Sequence, residues 1–312
     1  MTNMLSRRGM LAASAASFAL AACHGKSAAV LNVGNQRGST KSLMLASGAL
    51  DGALYHVEWS EFPAAQPLLE ALGSGAVDLG LVADAPFQFA FQGGSPIRVV
   101  GAMVATTMLP GALGVLVSHS STARGIDDLI GGKIATTHGG IGHYVMLRAL
   151  QVNGHRSDAV KWVFLSPSDS QAALQTGVVD AWSSWAPYTI AAMQTGARLL
   201  INGRDYATGA GFDVANAGAI DAKRTLLSDF LARETQAMAW AHAHSNAFAG
   251  MLSHETGLPL AIATGTVKCS TRVRAPIDAR LIAGQQTILD TFRASGDIKT
   301  TRSLDQAFTA LV

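Results

Sequence analysis

Short apolar runs alternate with stretches of helical period along most of this chain of 312 residues, the pattern of strands and helices taking turns. Val30 to Gly34 reads as a first strand, a helix follows Ser39, and His56 to Trp59 is a second strand. Pro63 to Leu72 has the spacing of an amphipathic helix closed by Gly73 and Gly75. Asp78 to Val82 is an apolar strand that runs into Asp84-Ala85-Pro86 and a helix through Phe91. The cycle resumes with strands at Lys133 to Thr136 and Val160 to Leu165, each followed by a helix, at His143 to Val152 and Ser168 to Thr176. Val99 to Val117 holds no charged residue and is long enough to cross a membrane, but Pro110-Gly111 breaks it. Two buried strands, Ile97 to Met103 and Gly114 to Ser118, account for it better, so no transmembrane helix is expected. From Leu226 onward the period is helical, at Ser228 to Ala247, Pro259 to Thr266 and Asp278 to Ser295, and predicts no further strand. The whole is an α/β pattern.

The chain also repeats itself. Ala71-Leu72-Gly73-Ser74-Gly75-Ala76-Val77-Asp78 is echoed by Ala173-Leu174-Gln175-Thr176-Gly177-Val178-Val179-Asp180. Each copy is soon followed by Ala-Pro-aromatic, at Ala85-Pro86-Phe87 and Ala186-Pro187-Tyr188. A helix, a glycine stop, a strand and a proline-led second helix in the same order predict two α/β lobes of similar build. With the helical tail packed back on the first, lobe one is 30–115 plus 215–312 and lobe two is 116–214. The chain then crosses twice, near Leu116 and Val214, a hinge geometry that leaves a cleft between the lobes.

Residues 1–22 are of another kind: Ser6-Arg7-Arg8-Gly9 leads into a run of Ala, Leu and Ser too short to span a bilayer, ending in Leu20-Ala21-Ala22-Cys23. The arginine pair resembles a twin-arginine export signal, and the last four residues resemble a lipobox, in which Cys23 is acylated and becomes the first residue. Acyl chains, at about 0.8 kcal/mol per buried methylene, would then hold the protein at a membrane surface, with residues 23–29 as a tether. Everything beyond is expected outside the cytoplasm.

Charged residues are only 14% of the chain, and removing the two arginines of the leader leaves 21 basic against 21 acidic residues. A neutral chain of this kind offers no field for nucleic acid. Two cysteines supply neither a disulfide framework nor a four-cysteine zinc site, and no cofactor is expected.

The most informative local feature is Lys133-Ile134-Ala135-Thr136-Thr137-His138-Gly139-Gly140-Ile141-Gly142-His143, a strand passing through glycines into a helix. Such a helix start bares backbone N–H groups at the positive end of the helix dipole, a cradle for an anion. Neither the Gly-Lys-Ser/Thr ending of a nucleotide loop nor G-x-G-x-x-G is present. Gln36-Arg37-Gly38, at the next strand-to-helix junction, would face the same cleft, as would Asp84. Trp182 and Trp185 stand at a strand end, where open α/β sheets bind ligands. Candidates for catalysis are thin. Cys269 has no histidine nearby, His242 and His244 diverge on a helix, and no carboxylate accompanies His138 and His143 in sequence, so no metal is expected.

In their order, Asn32 to Gly38, Val57 to Ala64, Leu69 to Leu72, Gly75 to Gly80, Asp84 to Pro86, Leu147 to Leu150 and Asp180 to Tyr188 resemble the substrate-binding proteins of ABC importers in the aliphatic sulfonate, taurine and nitrate group. The resemblance implies a periplasmic-binding-protein type II fold whose lobes close on a small anionic ligand, and a monomer docking to an inner-membrane ABC permease. It also implies that Trp182 and Trp185 wall the cleft. Two departures matter. Gly140, Ile141 and Gly142 stand where sulfonate binders carry serines, and Ala186 replaces an aspartate, which leaves room for a bulkier or less charged ligand such as a heterocycle. A desulfinase-like enzyme and a ligand sensor are the other functions compatible with this fold.

Overall fold

The computed structural model describes residues 29–37 and 39–312, so the leader, Cys23 and Gly38 lie outside the described residues. In chain order the elements are β1 (Ala29–Gln36), α1 (Ser39–Ser47), β2 (Tyr55–Phe62), α2 (Ala65–Ser74), β3 (Leu79–Ala83), α3 (Asp84–Gln92) and β4 (Ile97–Met108). Then come β5 (Leu113–Val117), β6 (Lys133–Thr136), α4 (Ile141–Val152), β7 (Lys161–Phe164), α5 (Pro167–Gln175), β8 (Ala181–Trp185), α6 (Tyr188–Gln194) and β9 (Arg198–Asn202). The chain finishes with β10 (Ala210–Asn216), α7 (Ala217–Ala243), α8 (Ser245–Thr256), α9 (Leu260–Cys269), β11 (Ser270–Ala275) and α10 (Ala279–Ala294). Val99 to Val117 does form strands, and no helix of the described residues is long and apolar enough to cross a membrane.

The strands make two sheets, ordered β11-β4-β10-β3-β1-β2 and β7-β6-β8-β5-β9. Their wiring matches: β2-β1-β3 and β7-β6-β8 are parallel triplets, each continued by an antiparallel strand, β10 or β5. The repeated octapeptides occupy the same place in each half, ending α2 before β3 and ending α5 before β8. Their closing aspartates do the same work: Asp78 Oδ2 accepts from Asn32 N at 2.8 Å and Asp180 Oδ2 from Lys133 N at 2.7 Å. A carboxylate on the main chain of the neighbouring strand fixes register in both sheets.

Each sheet is covered on both faces, which is why its strands read as apolar runs. Leu31, Val33 and Leu79 pack under Phe230 and Leu231 of α7, while Leu68, Leu72, Phe87 and Phe212 fill the opposite side. In the second sheet Val115, Ile134, Met146 and Leu150 form one core and Leu116, Ala135, Leu174 and Trp182 the other. The amphipathic α2 stops where Gly75 takes φ of 78°, a left-handed conformation suited to glycine.

Two expectations need correction. The chain passes between the sheets at 109–112 and 203–209, whereas Leu116 and Val214 lie inside β5 and β10. The tail is not purely helical either: β11 pairs antiparallel with β4 as an edge strand. It escapes pattern reading because the inward positions of Ser270–Ala275 include Arg272 and Arg274, so the two-residue alternation carries charges where apolar residues are usual. A third link joins the halves, since α10 packs against both α3 and α4 through a cluster of Ala85, Tyr144, Leu147, Ile288, Leu289 and Phe292.

Candidate functional site

A cavity of about 500 Å³ lies between the sheets at the carboxyl ends of β1, β3, β6 and β8, where open α/β sheets place their ligands. Strand ends deliver the side chains to it. Gln36 donates from Nε2 to the Leu81 carbonyl at 2.6 Å, which aligns the ends of β1 and β3. Arg37 turns out of β1 with φ of 43° and sets its guanidinium 5.7 Å from the ring centre of Tyr188, in the other half of the molecule. Asp84 opens α3; its Oδ1 accepts from Ala85 N at 2.8 Å and its Oδ2 from the Thr208 hydroxyl at 2.7 Å. Burial raises the pKa of this carboxyl, against the pull of Thr208 and the Ala85 amide.

Opposite them Gly140 and Ile141 begin α4 at the wall of the cavity, with Gly140 extended at φ −81° and ψ 173°. The N–H groups of Ile141, Gly142 and His143 carry no hydrogen bond among the described residues. Trp185 closes this side, edge-on to Tyr188 at 5.6 Å between ring centres. Two hydrogen bonds bridge the halves beside the cavity: Tyr188 Oη donates to Pro63 O at 2.7 Å, and Gln66 Nε2 to His138 O at 2.8 Å.

Gln36, Arg37, Asp84, Gly140, Ile141 and Trp185 therefore meet at one cavity, while the other candidates among the described residues do not line it. Trp182 is 1% exposed and belongs to the core of the second sheet, because three residues along a strand reverse the side chain's face and only Trp185 turns inward to the void. Gly142 gives close packing rather than a ligand contact, for a Cβ there would stand 2.4 Å from the Ser183 carbonyl oxygen. Gly139, at φ 66°, lies under the Phe89 ring. The Thr137 hydroxyl is buried without a hydrogen-bond partner, and the ring of His138 points away to Phe89 and Phe164.

His143 is buried as well, and the absence of a nearby carboxylate in sequence is corrected by the fold. Asp297, beyond α10, places Oδ1 3.0 Å from His138 Nε2 and Oδ2 3.9 Å from His143 Nε2. His143 Nδ1 accepts the Gly139 N–H at 3.2 Å, which assigns the proton of the neutral ring to Nε2 and leaves that nitrogen no lone pair for a metal. The trio ties the tail to the glycine loop instead. Burial lowers the pKa of His143 from 6.5 to about 4, with Asp297 opposing the shift. The folded state thus binds the proton less well than the unfolded chain. Stability is present above pH 6.5 and is lost as pH falls toward 4, by up to about 1.4 kcal/mol per pH unit. Urea midpoints measured across that interval should fall less steeply for His143→Gln, which keeps an acceptor for Gly139; equal slopes would remove His143 as the cause.

Sequence reasoning missed a second side of the cavity, which the tail completes against α1 and β4. Met103 and Met108 of β4, Leu43 of α1, Met238 of α7 and Phe248 of α8 form an apolar arm, and Arg272 of β11 faces into it. No local motif marks these positions, since they come together only when β11 joins the sheet.

A family model described as NMT1/THI5 like matches residues 57–247, more than half of the chain. The chain belongs to this family. It is 32% identical over 294 residues to an aliphatic sulfonates-binding protein of Escherichia coli (strain K12), covering 92% of this chain and 90% of that protein. Among solved structures, the alkanesulfonate-binding protein SsuA from Xanthomonas axonopodis pv. citri bound to MOPS superposes with a TM-score of 0.83 at 30% identity, over 90% of this chain and 98% of that one. The resemblance drawn from the ordered motifs and the periplasmic-binding-protein fold both hold. The desulfurization enzyme DSZB shares the fold at a TM-score of 0.65 and 18% identity, over 90% of this chain and 96% of that one, a likeness of fold alone.

Proposed function

We propose that this chain is the substrate-binding component of an ABC importer, capturing a small organic anion of the sulfonate class in the cavity between its two halves. The observation that carries the reading is the convergence of Arg37 and of Ile141, whose N–H at the start of α4 is unbonded among the described residues, on one void, in a chain similar over nine-tenths of its length to sulfonate-binding proteins. Lobes meeting along this cavity would swing about 109–112 and 203–209, and the Gln66–His138 and Tyr188–Pro63 bonds would break on opening. The leader and Cys23 fit export and a lipid anchor outside the cytoplasm, beside a permease.

Binding without chemistry is favoured over a desulfinase-like role by Cys269. Its thiol is 3% exposed, donates to Thr266 O at 3.3 Å and has its pKa pushed up by burial to about 11, the state of an inert thiol.

Calorimetric titration with ethanesulfonate, taurine, benzenesulfonate and nitrate tests the reading. At least one sulfonate should bind, and Gly140→Asp should weaken it at least a hundredfold by setting a carboxylate among donors aimed at another anion. Unchanged affinity in the variant would dismiss the α4 cradle.

A further inference from the structure

Arg272 and Arg274 lie two residues apart on one face of β11, and they are treated oppositely. Arg274 is saturated: it reaches Asp213, Glu234 Oε2 at 2.7 Å, Thr235 Oγ1 at 3.0 Å and Leu231 O at 3.3 Å. Arg272 crosses β4 toward β10, where a Cβ on Gly211 would lie 2.7 Å from its Nη1. Among the described residues its guanidinium makes no ion pair and no hydrogen bond to oxygen, its one contact of that kind being the Met103 sulfur at 3.9 Å. A guanidinium carries five N–H donors and stays cationic in proteins. Asp84, Asp213 and Glu234 act on it through space, but none of them comes within hydrogen-bond or ion-pair distance of its guanidinium. Burial holds the pKa of Arg272 below the ordinary guanidinium value. A fold that leaves the N–H donors of such a group without oxygen acceptors beside a cavity sacrifices stability, as binding sites do.

The surroundings define what would satisfy it. Leu43, Met103, Met108, Met238, Phe248 and Leu252 line the cavity along with Arg272, and although Glu234, His242 and Lys268 line it too, the surface is fit for an apolar body and, through its methionines, for one of variable shape. A cavity of about 500 Å³ falls within the roughly 300–1,000 Å³ of sites that enclose drug-sized molecules, far above the needs of a two-carbon sulfonate.

We propose that Arg272 is the specificity-determining clamp of this cavity and that its substrate class is the amphiphilic organosulfonate, with the sulfonate on Arg272 and an alkyl or aryl body of six or more carbons in the methionine-lined arm. This rests on the organic-anion reading above and adds a side-chain grip on the anion besides Arg37 and the Ile141 N–H of the same cavity, and the size of what it carries. A guanidinium fork matches two sulfonate oxygens at once, a geometry that lysine cannot copy.

The test titrates ethanesulfonate, octane-1-sulfonate and uncharged octan-1-ol into the full chain, Arg272→Gln and Arg272→Lys, and records melting of each protein without ligand. Wild type should bind octane-1-sulfonate at least tenfold more tightly than ethanesulfonate. Arg272→Gln should lose at least tenfold for both sulfonates with no loss for octan-1-ol, Arg272→Lys should recover only part, and ligand-free Arg272→Gln should melt higher than wild type. Sulfonates that bind Arg272→Gln as well as wild type overturn the clamp while leaving the organic-anion reading intact. Equal affinity for the two chain lengths overturns the amphiphilic class. A ligand-free Arg272→Gln that melts below wild type and binds nothing marks Arg272 as a structural residue, which also overturns the clamp. Wild type that binds none of the panel, here or in the shorter set, removes the organic-anion reading itself.

Discussion

Arg274→Met should destabilise the folded protein by about 3–5 kcal/mol, seen as a large drop in urea midpoint. The guanidinium bridges three elements: β11, which carries it, β10 through Asp213 and α7 through Glu234. Both carboxyls are 1% exposed. Glu234 has its pKa raised to about 8, first by burial and then by the charge of Asp213, against the pull of Arg274. Taking away the cation leaves uncompensated carboxylate charge in the interior. Gly101 of β4 shows how tightly the trio is held, because a Cβ there would lie 2.7 Å from Asp213 Oδ2 and 2.8 Å from Arg274 Nη1. Replacing all three charged residues with apolar ones of similar volume should restore much of the loss, since the cost lies in the orphaned charge. A loss below about 1 kcal/mol for the single variant would mean that the trio is hydrated and contributes little.

The same trio explains why part of the fold was illegible in the sequence. Strands that bury apolar side chains on both faces, such as Leu79–Ala83 and Leu113–Val117, announce themselves as Val- and Leu-rich runs. β11 buries arginines, and the partners of Arg274, Asp213 and Glu234, lie far off in the chain, so nothing local distinguishes Ser270–Ala275 from a loop. The glycine approach to α4 was readable because a helix start needs only its own residues. Asp297 was not, for it reaches His138 from 159 residues further along the chain, and His143 with it. The cavity divides along this line: its β1, β3, β6 and β8 strand ends follow from punctuation, while the methionine arm and Arg272 depend on the tail returning to the first sheet.

Trp182 and Trp185 provide the second large effect, and they separate core from cavity wall within one strand. Trp182 fills the space between Leu116, Ala135, Leu174 and Tyr188, and truncation to alanine should cost about 3–5 kcal/mol, as for other large aromatic residues removed from a close-packed interior. Whatever fraction stays folded should bind its tightest sulfonate with nearly native affinity, because no atom of Trp182 lines the cavity. Trp185→Ala should do the reverse. Its side chain is partly exposed to the void, so the melting temperature should move little while affinity for an amphiphilic sulfonate drops by about 1–3 kcal/mol through lost apolar burial. Melting curves and calorimetry on both variants decide it. Should Trp182→Ala melt like wild type and lose the sulfonate, the aromatic wall would have to be moved one side-chain face along β8, and the cavity described between the two sheets would no longer be the binding site.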